Sequence, residues 1–327
     1  MSKYLNKIGD IVIDVIIPTY NAHKTIDKTL ISIAMQDFVD KINVYIVNDG
    51  SDKDYQEQVR YFSKLMSVKE LKIEKNSGPG VSRQYGIDNS NSKYIVFIDS
   101  DDIFLDFQSI TQLYTQIEND DCDVVSGAFL EELDDSYYRH VNDTIFMHGK
   151  IYRRQFLVEN GIRFNDTYSN EDNGFNSLII LHDGKIKFID NDIYVWRNNK
   201  ESITRRNNYE YYIKGIKWYI YNIEWAISLA IDKSCSYDRI SEVNFGCLFT
   251  VYYYYLLHEN DDFVKWIYPI CKNYLNYPPN EMIKNDLIWS IFNQFLNEND
   301  KNKLLNPFLT FDQFVEKVIT NDSSNEL

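Results

Sequence analysis

The run Tyr94-Ile95-Val96-Phe97-Ile98-Asp99-Ser100-Asp101-Asp102 restricts what this chain can fold into more than any other stretch. Five β-favouring residues lead straight into three carboxylates, with no turn residue between them. The run is apolar at nearly every position before the acids, so both faces should be buried, as in a central strand of a parallel sheet. Three acids at the end of such a strand repel one another and lose hydration. A hard divalent cation is the simplest partner that would stabilise them, and ligands of open α/β sheets collect at the carboxyl ends of strands, where these acids fall. A plainer reading has Asp101 or Asp102 capping the next helix, with Asp99 in solvent. On this run alone the two readings stand level.

The residues on either side repeat the strand-helix alternation of an α/β protein. A strand over 11–17 is expected to stop at Pro18, and a helix follows with Ile26, Leu30, Ile33 and Ala34 on one face and Thr25 as N-cap. A second strand spans 42–47 and ends in Asn48-Asp49-Gly50-Ser51-Asp52. Tyr55, Val59, Phe62 and Leu65 mark a helix, 71–73 a short strand, and Asn76-Ser77-Gly78-Pro79-Gly80 a loop before a short helix carrying Arg83. No Gly-x-Gly-x-x-Gly and no Gly-Lys-Ser/Thr loop follows the first strand, which argues against a dinucleotide fold or a P-loop nucleotidase.

Composition narrows the partners. The net charge is −15, of which −11 falls in the first 204 residues and −4 after them. No basic face for nucleic acid is expected from that balance, and an anionic ligand bound in the N-terminal part needs a metal, an Arg or backbone amides beside it. Cys122, Cys235, Cys247 and Cys271 are scattered and read as reduced, buried thiols. No secretory leader is recognisable and no stretch approaches the ~20 apolar residues of a membrane span, so the expectation is a cytoplasmic protein, with at most peripheral contact at the inner face of a membrane.

Taken together, Val15-Ile16-Ile17-Pro18-Thr19-Tyr20-Asn21, Val47-Asn48-Asp49-Gly50-Ser51-Asp52, Asn76-Ser77-Gly78 with Arg83 and Gly86, and Asp99-Ser100-Asp101-Asp102 resemble the ordered motifs of glycosyltransferase family 2. Each is weak alone; four in sequence within about the first hundred residues are specific. Ser82 and Gln84 flank Arg83 where that family usually has Ala and Asn. The resemblance implies the GT-A fold, a Rossmann-like α/β class with a mostly parallel central sheet flanked by helices. It also implies inverting, single-displacement transfer of a sugar from a nucleotide-sugar, a UDP-sugar above all, to a hydroxyl of a glycan, lipid-linked or protein acceptor.

Site residues follow from that resemblance. Pro18, Thr19, Tyr20, Asn21 and Asp49 would hold the nucleobase, with Gly78 and Ser100 lining the nucleotide-sugar. On its own residues Asp49 reads better as a turn acid in Asp-Gly-Ser. Arg83 would lie near the ribose or diphosphate; by itself it reads as a surface ion pair. Asp99 would contact the ribose and share with Asp101 a Mn2+ or Mg2+ ion that bridges the diphosphate, which suits an all-oxygen site. Asn170-Glu171-Asp172-Asn173-Gly174 resembles the family's Glu-Asp segment at a helix start, implying Asp172 as the catalytic base that takes the acceptor proton. Otherwise Glu171 and Asp172 are first-turn acids favoured by the helix dipole. Met147-His148-Gly149-Lys150 resembles a segment that shapes the acceptor side, which sets His148, Lys150 and Glu171 there, although a lone His is more often structural. Trp196-Arg197 and Ser202-Ile203 resemble the family's closing segment, with Arg197 reaching the diphosphate.

Between these motifs, a helix is expected around 110–117, a strand at 124–125, a hairpin or loose insertion over 127–146, a helix over 152–160 closed by Gly161, and strands at 186–189 and 193–196. The C-terminal part reads as helices around 212–227, 243–251, 262–276 (broken at Pro278-Pro279), 281–297 and 311–319. The organisation expected is a GT-A domain over 1–204 and an all-helical domain over 205–327. Tyr252 to Tyr255, Trp218, Trp225, Trp266 and Trp289 make the latter rich in aromatics, which read first as core and second as a homo-oligomer or shallow membrane-contact face. A non-catalytic sugar-nucleotide-binding partner of another transferase is the second functional reading; intact Asp99, Asp101 and Asp172 favour the enzyme.

Overall fold

A computed structural model describes residues 11–167, 169–199, 209–294 and 307–322. Ser202, Ile203, the tail after Asp322 and the side chain of Trp289 lie outside the described residues. The chain divides into two compact units, Met1–Asn176 with Gly184–Arg206, and Ser177–Asp183 with Asn207–Leu327.

The first unit is built on one mixed sheet. Its strands run β3 (Ser67–Ile73), β2 (Ile42–Asp49), β1 (Ile13–Thr19), β4 (Tyr94–Phe97), β8 (Lys150–Arg153), β6 (Val124–Glu132), β9 (Ile186–Trp196) and β5 (Ile103–Phe104), with β7 (Tyr137–His140) paired to β6. Strands β1 to β4 pair in parallel, β8 opposes both β4 and β6, and β6 runs parallel to β9. All seven residues of β1 and all four of β4 are buried, as their apolar sequences demand of strands covered on both faces. Helices α1 (Ile26–Ala34), α2 (Gln56–Phe62), α3 (Pro79–Asp88) and α4 (Ser109–Asn119) supply that cover.

Several boundaries differ from the sequence expectation for physical reasons. Strand β1 does not stop at Pro18 but carries it opposite Val47 of β2. On its other edge β1 pairs with β4 only as far as Ile16, so Pro18 lies where one side of the ladder has already ended and its missing donor breaks nothing. Strand β4 ends at Phe97, and the acids fall in the turn between β4 and β5 rather than in the strand itself. Thr25 precedes α1, yet its hydroxyl bonds back to the Ala22 carbonyl (3.2 Å) instead of capping the helix. The segment 127–146 is a real hairpin, β6–β7, and the two strands expected near 186–196 are one, β9, bent by an irregularity where β6 passes Gly127 and Ala128. Helix α5 (Arg154–Asn160) ends at Gly161, whose φ of 66° is the left-handed conformation a helix stop favours.

The second unit contains α7 (Tyr209–Asp232), α8 (Tyr237–His258), α9 (Asp261–Trp266), α10 (Tyr268–Asn276), α11 (Glu281–Gln294) and α12 (Phe311–Asp322). The expected helix over 262–276 is two, because Pro269 sits in the first turn of α10 and cannot continue the ladder of α9. Tyr252, Tyr253 and Tyr255 are buried, and Phe245, Phe249, Phe311 and Phe314 pack with Tyr252 around them, so these aromatics build core. Among the described residues, no helix is long and apolar enough to cross a membrane.

Candidate active site

The strand order 3-2-1-4 reverses at β1. The chain leaves β1 through α1 toward β2 and comes back through α3 to β4 on its other side, opening a crevice at the carboxyl ends of β1 and β4. The sequence motifs gather there because hydrogen bonds lace each to the next. Asn21, with φ 51°, donates its backbone N–H to Ser51 (2.9 Å) and accepts from the Asp52 amide (2.9 Å). Thr19 is buried just before it, while the Tyr20 ring is half exposed. Asp49, at the end of β2, accepts from the Ser77 and Gly78 amides, both at 2.8 Å, and so shapes the loop that leads into α3. Burial raises the Asp49 pKa, against the pull of those two amides. Ser100 lies part exposed between the acids, and Pro18 stays inside β1.

Arg83 is the centre of the arrangement. It is buried on α3, and its guanidinium donates from Nη1 to Glu171 Oε1 (2.5 Å) and from Nη2 to Asp99 Oδ1 (2.7 Å). It does not lie on the surface, and it joins the acid turn to the start of α6 (Glu171–Leu181). Burial alone would lower its pKa; the carboxylates of Asp99 and Glu171 outweigh that and keep it charged. Gly80 makes the approach of α3 to α6 feasible, since a Cβ there would stand 2.9 Å from both the Asn165 carbonyl and Glu171 Cγ. Phe97, Phe164 and Phe175 pack behind the guanidinium, Phe164 stacking on Phe175 at 4.1 Å.

The three acids are held in different ways. For Asp99, burial works upward, but Arg83 and then His148 pull its pKa below the usual range; its side chain still keeps a third of its exposure. Asp101 accepts from the Asn199 side chain (2.8 Å), and its pKa rises through burial and the charge of Asp99. Asp102 is fully buried, caps no helix, and accepts from the Tyr194 hydroxyl and the Arg197 amide (2.8 Å). Burial and the two neighbouring acids push it well above the normal carboxyl pKa. Arg197 is thus tied to the acid turn through its backbone, while its side chain lies 3.9 Å from Glu132.

Asp172 opens α6 beside Glu171. It lies deep in the crevice with partial access to solvent, and its pKa is pushed up to about 7 by burial and by the charge of Glu171, against the pull of Arg83. Lys150 sits apart from this group: buried in β8, it pairs with Asp143 (2.7 Å) and the Phe146 carbonyl, fixing the loop before β8. His148 comes close to the acids. One ring nitrogen and one carboxylate oxygen each of Asp99 and Asp102 lie within 4.8 Å of one another, a grouping able to hold a metal ion. Burial lowers the His148 pKa to about 4, so the imidazole is neutral at physiological pH. Sequence reasoning counted Asp102 among the three acids that a cation would stabilise, or as a helix cap, without assigning it as a ligand, and missed Tyr194 altogether. The run of acids was a signal for the first; a tyrosine late in an ordinary strand carries none for the second.

The site is an acidic crevice at the switch point of an α/β sheet, joined by one arginine to a helix that begins with two acids. Residues 14–172 match the family described as glycosyl transferase family 2. The chain is 29% identical over 223 residues to glycosyltransferase GlyA of Streptococcus pneumoniae, covering 59% of this chain and 31% of that protein. It is 26% identical over 204 residues to the poly(ribitol-phosphate) beta-N-acetylglucosaminyltransferase TarS of Staphylococcus aureus, covering 57% of this chain and 35% of TarS. The chain therefore spans about a third of the length of these curated relatives. Residues 1–349 of TarS in complex with UDP-GlcNAc share the fold at a TM-score of 0.65 and 16% identity, over 96% of this chain and 92% of that one. A mannosyltransferase from Pyrobaculum calidifontis, in complex with GDP-Man and Mn2+, does so at 0.54 and 12% identity, over 98% and 89%.

Proposed function

We propose that this protein is a metal-dependent, inverting glycosyltransferase that moves a sugar from a UDP-sugar to a hydroxyl of a glycan or glycoprotein acceptor. The observation that carries the reading is the link from Asp172 to the acid turn: Arg83 holds Glu171, the neighbour of Asp172, at one end and Asp99 at the other. A base on the acceptor side and carboxylates on the donor side are thereby fixed relative to each other, as single displacement requires. Asp99, Asp102 and the neutral His148 form a group that suits a divalent cation, with Asp101 in the same turn, and the solved structures of similar fold with UDP-GlcNAc or with Mn2+ support a nucleotide-sugar and a metal here.

In this reading Asp172, with a pKa near 7, takes the proton of the acceptor hydroxyl as that oxygen attacks the anomeric carbon from the face opposite the nucleotide. Glu171 and Arg83 position Asp172 and keep Asp99 ionised. Asp101 and Asp99 would hold a Mn2+ or Mg2+ ion, which when bound would supply positive charge to the departing diphosphate, so that no general acid would be needed there. Pro18 to Asn21 and the loop that Asp49 braces form the walls for the uridine. The domain over 1–204 would do this chemistry and 205–327 would serve the acceptor or a second copy of the chain.

The test is Asp172→Asn beside Asp101→Ala, each assayed for transfer and for metal-dependent UDP binding. Asp172→Asn should abolish transfer and leave UDP binding nearly intact, whereas Asp101→Ala should lose both. Transfer surviving in Asp172→Asn would remove the base assignment. Wild-type protein that binds UDP-sugars yet transfers to no glycan or peptide acceptor would favour the non-catalytic partner.

A further inference from the structure

We propose that one face of the sheet where β9, β6 and β7 lie side by side is a docking track for the acceptor, and that the acceptor segment it takes is an uncharged oligosaccharide. Calling the bound chain an acceptor rests on the transfer proposed above; the binding is measured without turnover.

The pleat lays out the track. Cross-strand pairing puts Tyr194, Phe129 and His140 in one row across the three strands, and Trp196, Glu131 and Tyr138 in the next row of the same face. The first row is packed. Phe129 and Tyr194 are buried, His140 stacks on Phe129 at 4.3 Å, and the Tyr194 hydroxyl reaches the acid turn. The second row opens to solvent: Tyr138 is 51% exposed, and Trp196 and Glu131 are partly so. Its side chains are nevertheless held. The His140 ring meets Tyr138 edge-on at 4.7 Å, and its Nε2 lies 3.0 Å from a Glu131 carboxylate oxygen. Phe146 steadies the other end, tilted against Trp196 at 5.5 Å.

Two fixed aromatic platforms with a carboxylate between them suit a sugar chain. The C–H bonds on the flat side of a pyranose meet the negative face of an aromatic ring, while hydroxyls at its edge donate to a carboxylate. Two strand spacings separate Trp196 from Tyr138, roughly 10 Å, so consecutive sugars of one chain span the row where a single ring cannot. The track is continuous with the candidate active site, because Trp196 is followed by Arg197, whose amide donates to Asp102. A chain lying on Trp196 therefore has its end near the acid turn. Charge restricts which chain fits. Between Gly127 and Phe146 the sequence carries five acidic residues and one arginine, and that arginine, Arg139, is paired with Asp190 and Asp192. A phosphate-linked polymer would meet repulsion on this hairpin; a neutral glycan would not.

The experiment uses the full chain and, as probes, cellotetraose, chitotetraose, laminaritetraose and maltotetraose, beside glucose, N-acetylglucosamine and a poly(ribitol phosphate) oligomer. Saturation-transfer NMR ranks the probes and titration gives the affinities. At least one tetrasaccharide should bind, ~10-fold or more tighter than its monosaccharide, since it engages both platforms. Tyr138→Ala should weaken that binding about 3- to 10-fold, the worth of one aromatic contact, and Tyr138→Phe should not. Tyr137→Ala is the control: Tyr137 is 59% exposed on the opposite face of the same strand, and its loss should leave the affinity unchanged. Absence of tetrasaccharide binding, an equal loss in Tyr137→Ala and Tyr138→Ala, or binding of the poly(ribitol phosphate) oligomer as tight as that of the tetrasaccharides would each overturn the track. UDP-sugar binding, titrated on the same wild-type protein, separates this failure from the other. Donor bound without tetrasaccharide strikes the track and leaves the transferase reading, whereas tetrasaccharide bound without any donor strikes the transferase reading and leaves a glycan-binding face.

Discussion

Arg83 and Glu171, 88 residues apart in the chain, meet in an ion pair with both side chains almost wholly buried. The same guanidinium reaches Asp99, so one cation neutralises two carboxylates that would otherwise face each other in low dielectric. Removing one partner of a buried pair costs about 3–5 kcal/mol, because the charge left behind stays desolvated. Arg83→Ala should therefore lower the free energy of unfolding by that order and abolish transfer. Arg83→Lys should recover part of the stability but not the activity, since an ammonium cannot reproduce the two-pronged geometry. Equilibrium unfolding in urea, read beside transfer rates, separates the two effects.

Asp172 gives the reaction its pH dependence. With its pKa near 7, the carboxyl is largely protonated at pH 6 and largely ionised at pH 8. Transfer at saturating donor and acceptor should rise about tenfold per pH unit below 7 and level off above it. An ordinary aspartate would put the plateau below pH 5. A rate profile between pH 5 and 9, at fixed metal and ionic strength, distinguishes them.

The same shift predicts a stability effect of opposite sense. Between the unfolded value, 3.8, and about 7 the folded state holds a proton that the unfolded state has released, so stability attributable to Asp172 falls as pH rises through that window. Three units correspond to about 4 kcal/mol as an upper bound at pH 8. Asp172→Asn should accordingly melt higher than the wild type at pH 8 and show little difference near pH 4. Thermal melts of both proteins at those two pH values check it.

These properties show how far the sequence reached. The acid turn, Arg83 and the Glu-Asp start of α6 were visible because each recurs in a short pattern, and the parallel half of the sheet because β1, β2 and β4 are continuous apolar runs. What joined them was not visible. A single arginine serving Asp99 and Glu171 is a tertiary fact, and read alone Arg83 is as good a surface residue. Lys150 was set on the acceptor side by the resemblance of its segment alone, and its pairing with Asp143 in the fold is another tertiary fact that no short pattern announces. Pro18 failed as a strand stop because the ladder on one edge had already ended, which depends on the length of β4 and not on the residues around the proline.

Tyr194 bonds two of the acids at once, accepting from the Asp99 amide and donating to the Asp102 carboxylate. Tyr194→Phe should keep the ring stacking on His148 and lose only the hydroxyl. Leaving a buried acceptor without its donor costs about 1–3 kcal/mol. Metal affinity should fall with it, by about 10- to 100-fold as for other outer-partner losses. Titration with MnCl2 and a urea melt of the same variant measure both; affinity unchanged alongside the expected loss of stability would confine Tyr194 to a folding role.

Asp49 poses the last question, because both of its oxygens are already occupied. The Ser77 and Gly78 amides take one each at 2.8 Å, so the carboxylate braces the loop before α3 whether or not it also meets a uracil. An ionised carboxylate still has lone pairs for a third donor, and the imide N–H of uracil is one. Asp49→Asn tests both duties. Its amide keeps one acceptor oxygen and turns the other position into a donor, which opposes a backbone N–H and should cost about 1–3 kcal/mol. If the side chain also holds the base, KM for the UDP-sugar should rise about tenfold with kcat little changed, since the base contact is equal in ground and transition states. A loss of stability with unchanged KM would leave Asp49 as a loop brace alone, and the uracil would then be selected by Tyr20 and the backbone between β1 and α1.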